Sequence, residues 1–174
     1  RRDAARVGDG VWVSGSLGAA AAALEQWRCG GPVDAALRER LDRPAPRVAL
    51  GRALSGVANA CIDVSDGLLA DLGHVCRASG VGARLDVDAL PGAAALQRHF
   101  HGDALRALQA TGGDDYELCF TLPGAADALA LAAGAAAGVD VTRIGTVVAG
   151  RGVDVNDRAG RPWQPPRAGH EHFA

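Results

Sequence analysis

The chain has 174 residues, enough for one domain with a buried core. Hydrophobic residues make up 48% of it and the net charge is −2, which excludes a disordered chain and a basic nucleic-acid footprint. No apolar run has the length of a transmembrane helix, and the scarcity of aromatics, 4%, favours helices laid on a sheet over an aromatic-rich binding surface.

The turn Gly8-Asp9-Gly10 precedes a short strand, Val11 to Ser14, and Gly15-Ser16-Leu17-Gly18 then opens an alanine-rich helix that ends near Cys29-Gly30-Gly31. A second helical stretch, Pro32 to Leu41, stops where Pro44 and Pro46 forbid continuation, and helix resumes from Arg47 to about Gly56. Ala60 to Val64 predicts a strand, after which Ser65 caps a helix from Asp66 to Ser79 closed by Gly80. Ala83 to Val87 alternates as a strand, and helical segments follow Leu90-Pro91-Gly92 through Ala110. Beyond Gly112-Gly113, Tyr116, Leu118 and Phe120 alternate with Glu117, Cys119 and Thr121, a strand period. Ala125 to Ala137 predicts a helix, Asp140 to Val148 a strand, and Val153 to Trp163 a hairpin about Asp157 to Gly160; Pro165 to Ala174 has no regular pattern. The order predicts an α+β domain, a mixed β-sheet packed with α-helices.

All 18 basic residues are arginine, so a Walker-type phosphate loop, which needs lysine, is closed to this chain. Phosphates have to be met by arginine, helix N-termini or bound metal. The absence of methionine leads us to expect that Arg1 lies within a longer protein. Cys29, Cys61, Cys76 and Cys119 are far apart with no C-x-x-C pair, which predicts buried free thiols of a cytosolic protein.

Asp63-Val64-Ser65-Asp66-Gly67 stands where a strand gives way to a helix. Two carboxylates at such a corner can ligate a hard cation such as Mg²⁺. A plain helix start accounts for Ser65 and Asp66 as well, but not for the acid on the preceding strand. Gly112-Gly113-Asp114-Asp115 sets adjacent acids at the mouth of a strand, suited to a cationic substrate or a metal–phosphate, and equally to a solvated turn. Arg1-Arg2-Asp3-Ala4-Ala5-Arg6 can meet phosphate or be an ordinary chain end, and His170 and His172 have no third metal ligand near them in sequence.

Taken together, these segments closely resemble the thiamine-monophosphate kinases. The likeness is carried by Gly8-Asp9 through Gly18, Arg43-Pro44-Ala45-Pro46-Arg47, Ile62-Asp63-Val64-Ser65-Asp66-Gly67 through His74, Thr111-Gly112-Gly113-Asp114-Asp115-Tyr116-Glu117-Leu118 through Phe120, and Gly169 to Phe173. That family belongs to the superfamily of aminoimidazole-ribonucleotide synthetase and selenophosphate synthetase, with two α/β domains and ATP in the cleft between them. The resemblance implies that residues 1–7 end a missing N-terminal ATP-binding domain and residues 8–174 form the C-terminal one. It implies direct phosphorylation of thiamine monophosphate to thiamine diphosphate, with ATP as co-substrate and several Mg²⁺ ions. Carried over by position, Asp63 and Asp66 match magnesium ligands, Arg2 and Ser65 ATP contacts, and Asp114 and His170 substrate contacts. The family commonly has Glu where Asp114 stands, a larger aromatic at position 170, and Ser-Gly where Asp3-Ala4 follow the arginine.

The family's acid-rich first domain supplies much of its metal site, so the chain alone is expected to be inactive. The resemblance also implies a cytoplasmic homodimer for the complete protein, binding neither nucleic acid nor membrane. The competing readings are another ATP-dependent enzyme of the superfamily, of the selenophosphate synthetase or hydrogenase-maturation type, and a non-catalytic nucleotide-binding domain.

Overall fold

Val11 and Val13 turn to one face of a strand and Trp12 to the other, and the rest of the molecule is arranged on those two faces. The computed structural model describes residues 1–166. In chain order these form β1 (Asp9–Ser14), α1 (Ala19–Arg28), α2 (Ala35–Asp42), α3 (Val48–Ala53), β2 (Ala60–Asp63), α4 (Leu68–Ser79), β3 (Gly82–Asp86), α5 (Ala94–His99), α6 (Gly102–Thr111), β4 (Leu118–Pro123), α7 (Asp127–Ala137), β5 (Val141–Val148) and β6 (Gly152–Asn156). The strands make one sheet in the order β2-β4-β1-β5-β3-β6, antiparallel except for the parallel pair β3 and β6. The predicted mixed sheet with packed helices is the fold observed.

On the first face, Val11, Val13, Ile62 and Leu85 pack with Leu68 and Leu72 of α4. On the second, Trp12 stacks on Phe120 with ring centroids 6.5 Å apart, and Leu50 of α3 and Ala130 and Ala133 of α7 cover them. Ala19, Ala22 and Ala23 of α1 join Leu37 of α2 and Leu96 of α5 in a third core beside the sheet. Small side chains on α1 let those helices approach closely. Opposite the step from Val11 to Trp12 the register with β5 shifts by one residue, a bulge at Ile144 that sends both Ile144 and Val147 to the α4 face.

Several elements differ from the sequence reading. The second helix begins at Ala35 rather than Pro32, because the Asp34 carboxylate accepts the amides of Ala36 and Leu37 and so sets the cap. The expected hairpin from Val153 to Trp163 turns about Asp157 to Gly160, with the Trp163 amide donating to the Val155 carbonyl at 2.8 Å. Its return arm is a single bridge, Asn156 to Pro162, rather than a strand, and the other edge of β6 pairs with β3. Cys76 and Cys119 are buried free thiols, but Cys29 is exposed beyond the end of α1 and Cys61 only partly covered. Among the described residues no helix is long and apolar enough to cross a membrane.

Candidate functional site

β2 pairs with β4 as far as Asp63 opposite Leu118, and the pairing does not stop where the sheet ends. The Val64 amide donates to the Glu117 carbonyl at 2.8 Å, the Tyr116 amide to the Val64 carbonyl at 2.9 Å, and the Asp114 amide to the Ser65 carbonyl at 3.0 Å. The two acid-bearing loops, 63–67 and 112–117, are therefore joined backbone to backbone. Glycine makes this possible. Gly67 has φ +114°, and a Cβ there would lie 2.6 Å from the Thr111 carbonyl oxygen.

Ser65 does not cap α4; the helix starts at Leu68, with Gly67 at the cap and no side-chain cap bond. Asp66 thus lies in the loop rather than in the first helical turn. Asp71, from inside that turn, reaches back instead, and its Oδ2 accepts the amides of Ser65 at 2.9 Å and Asp66 at 3.0 Å. Burial pushes the Asp71 carboxyl above the usual range, the two amides oppose the shift, and the nearby charges of Asp66 and Asp63 add to it.

Along the second loop the side chains alternate: Asp114 and Tyr116 are exposed, while Asp115 and Glu117 are buried. Asp114 and Tyr116 do this with positive φ, 63° and 50°, a conformation that costs on the order of 1–2 kcal/mol per non-glycine residue. The buried acids hold the loop down. Asp115 Oδ2 accepts the Gly18 amide at 2.6 Å, closing the start of α1. Burial raises the Asp115 carboxyl to about 7, against the pull of the Gly18 and Ala20 amides and the Arg40 charge. Glu117 takes hydrogen bonds from the Ser14 hydroxyl, from Arg40, and from Nε and Nη2 of Arg47.

These loops floor a cleft of roughly 750 Å³, a size that holds a small organic ligand. Ser65, Asp66, Asp114 and Tyr116 are in its lining, and Leu24 of α1, Leu108 of α6 and Phe100 give it an apolar wall. Ser65, Asp66 and Asp114, singled out in the sequence, thus share one cavity. Asp63 is exposed at the end of β2, outside the lining. Arg2 is exposed and outside the lining, and its carbonyl accepts the Ser79 hydroxyl at the C-terminal end of α4. His170 lies outside the described residues.

Among the described residues no three metal-ligating side chains converge on one point. Asp63 and Asp66 are nonetheless a fit for a hard cation: both carboxylates are exposed, both are oxygen donors, and their charges crowd that of Asp71. Sequence reasoning missed Asp71, whose spacing from Ser65 matches no capping pattern. It also missed the cleft role of Tyr116, which its strand-like alternation concealed, and the apolar wall, which only tertiary packing assembles.

The family model described as AIR synthase related protein, C-terminal domain, matches residues 6–158. The chain is 44% identical over 186 aligned residues to the thiamine-monophosphate kinase of Salmonella typhimurium (strain LT2), across 100% of its own length and 55% of that protein's. A crystal structure of thiamine-monophosphate kinase from Stenotrophomonas maltophilia K279a superimposes with a TM-score of 0.86 at 43% identity, over 94% of this chain and 54% of that one. A structure described as AaThiL complexed with AMPPCP and TMP gives 0.78 at 32% identity, over 99% and 53%. The chain spans about half the length of the relatives it matches.

Proposed function

The chain belongs to the AIR synthase related protein family, as its C-terminal domain, and on that premise we propose that it is the second half of a thiamine-monophosphate kinase. In this reading residues 1–7 end a first, ATP-binding domain and residues 8–174 form the second. The observation that carries it is the pairing of loops 63–67 and 112–117, which sets Ser65, Asp66 and Asp114 around one cleft. The likeness to the Salmonella and Stenotrophomonas enzymes supports the choice of reaction.

The complete protein transfers the terminal phosphoryl group of ATP to the phosphate of thiamine monophosphate. The bond from that phosphorus to the bridging oxygen breaks, a bond to an acceptor phosphate oxygen forms, and ADP leaves. Such a transfer asks for alignment and charge neutralisation, not a covalent nucleophile. Ser65 and Arg2 contact ATP; Asp114 and His170 contact the acceptor, with Asp114 opposite the thiazolium charge. Asp63 and Asp66 would hold Mg²⁺, which when bound neutralises phosphate oxygens. Asp71 fixes the loop that carries Ser65 and Asp66. The first domain supplies further acidic ligands, and the complete protein acts as a cytoplasmic homodimer.

The test is an assay of the complete protein with ATP, Mg²⁺ and thiamine monophosphate, read as thiamine diphosphate by chromatography. Product should accumulate with the complete protein and not with this chain alone. No product from the complete protein would refute the reading, and robust turnover by the chain alone would refute its dependence on a first domain.

A further inference from the structure

Tyr116 is the chain's single tyrosine, and the fold gives it nothing to do. It belongs to none of the three hydrophobic cores, and 39% of its surface is exposed. Its backbone is nevertheless held in the left-handed region at φ 50°. An aromatic residue kept there without packing to reward it points to a ligand. The restraints are specific: the Tyr116 amide is bonded to the Val64 carbonyl, and its neighbours Asp115 and Glu117 are pinned from below by Gly18 and by Arg40 and Arg47. The same device at Asp114, φ 63°, brings the Asp114 carboxylate to the same side, where Oδ1 accepts the tyrosine hydroxyl at 3.4 Å. Both side chains line the cleft, as do the apolar Leu24, Phe100 and Leu108.

An aromatic ring and a carboxylate side by side, in a cleft that also offers apolar surface, suit a flat heteroaromatic ring bearing a permanent positive charge. The ring face attracts the cation through its quadrupole, the carboxylate supplies the counter-charge, and the wall takes uncharged ring surface. We infer that Tyr116 is a specificity-determining residue that, together with Asp114, selects an acceptor by the charge of its ring. The inference rests on the proposed reaction and deepens it: Tyr116 favours the thiazolium of thiamine monophosphate over a neutral ring of the same shape. The hydroxyl contributes little, because at 3.4 Å it makes a weak hydrogen bond, and the aromatic face does most of the work.

The experiment measures binding, so that it stands apart from turnover. The complete protein, as wild type, Tyr116→Phe and Tyr116→Leu, is titrated calorimetrically with thiamine monophosphate and with its thiophene isostere, which lacks the ring charge. Wild type should bind the charged compound tighter by about 3- to 30-fold. Tyr116→Phe should keep most of that preference, and Tyr116→Leu should lose a clearly measurable part of it, keeping what the Asp114 charge supplies, with ATP affinity and thermal midpoint unchanged in both. Equal binding of the two compounds by wild type, or a preference undiminished in Tyr116→Leu, overturns the inference. A parallel loss of ATP affinity in Tyr116→Leu also overturns it, since that marks general damage to the cleft. Failure of the complete protein to make thiamine diphosphate counts against the proposed reaction, while the ratio of the two affinities still decides the role of Tyr116.

Discussion

Arg47 holds Glu117 bidentately along one edge of its guanidinium, Nε to Oε2 at 2.7 Å and Nη2 to Oε1 at 2.6 Å, around a carboxylate fully shielded from solvent. Arg40 adds a further bond to Oε1 at 2.6 Å, and the Ser14 hydroxyl one to Oε2 at 2.6 Å. Removing one partner of such a buried group leaves uncompensated charge. Glu117→Ala is expected to lower the unfolding free energy by about 3–5 kcal/mol, and Arg40→Ala by less, because Arg47 still satisfies the carboxylate. Urea denaturation of the chain measures both. A loss below about 1 kcal/mol for Glu117→Ala would show that hydration or rearrangement replaces the pair.

Asp63→Asn in the complete protein should raise the Mg²⁺ concentration needed for half-maximal turnover and leave the thermal midpoint in place. One charged oxygen ligand is lost from an exposed position that supports no packing. Asp71→Ala should shift the same Mg²⁺ requirement by about 10- to 100-fold although Asp71 touches only backbone amides. Near-normal turnover of Asp63→Asn at limiting Mg²⁺ would sink its metal role.

Asp114→Asn should weaken thiamine monophosphate more than ATP, because it removes a charge facing the thiazolium while keeping the loop geometry. Steady-state KM values for the two substrates of the complete protein report the split. Equal losses would mean the loop has been disturbed as a whole. The companion substitutions at position 170 should follow the same split more mildly for His170→Ala and be tolerated for His170→Tyr.

Asp115 predicts a pH dependence with a definite sign. Its folded carboxyl sits at about 7 against an ordinary value of 3.8, so between those values the folded chain keeps a proton that the unfolded chain has released. Stability therefore falls as pH rises through that window and levels off above it. Relative to Asp115→Asn, the wild type should lose on the order of 3–4 kcal/mol between about pH 4 and about pH 8. Parallel stability curves for the two proteins would show that the carboxyl titrates normally.

Gly67→Ala should separate the two loops. The new Cβ would meet the Thr111 carbonyl at 2.6 Å with φ at +114°, so backbone and not a flexible side chain must yield. A stability loss of at least about 1 kcal/mol is expected, together with weaker binding of both substrates. An unchanged melting curve would mean the loops tolerate separation.

The fold was legible because its signals are local. The alternation around Val11, Trp12 and Val13 and the Gly80 close of α4 both appear in the structure. The acid-bearing loops were legible as motifs, and the cleft brings Ser65, Asp66 and Asp114 together. What escaped has partners far along the chain. Glu117 reads as one more strand residue until Arg40 and Arg47, more than sixty residues earlier, fold against it. Ser65 reads as a helix cap because it sits before an apolar periodic run; in the fold Asp71 instead reaches back from inside the helix to the amides of Ser65 and Asp66, which holds Ser65 in the loop, and no spacing rule announces it. Pairing of β6 with β3 likewise depends on sheet order, which local sequence does not encode.

The backbone ladder that continues past β2 and β4 has a consequence for how the cleft opens. An ordinary surface loop exchanges its amide hydrogens with solvent deuterium in small local fluctuations. The amides of Val64, Asp114 and Tyr116 instead donate across the ladder, which is anchored at one end by the sheet and from below by Asp115 on Gly18. Freeing any of them requires the two strands to part, so their exchange should track global unfolding although Asp114 and Tyr116 are exposed to solvent. The floor of the cleft is in that sense as rigid as the core, and a ligand entering it finds the groups that meet it already in place.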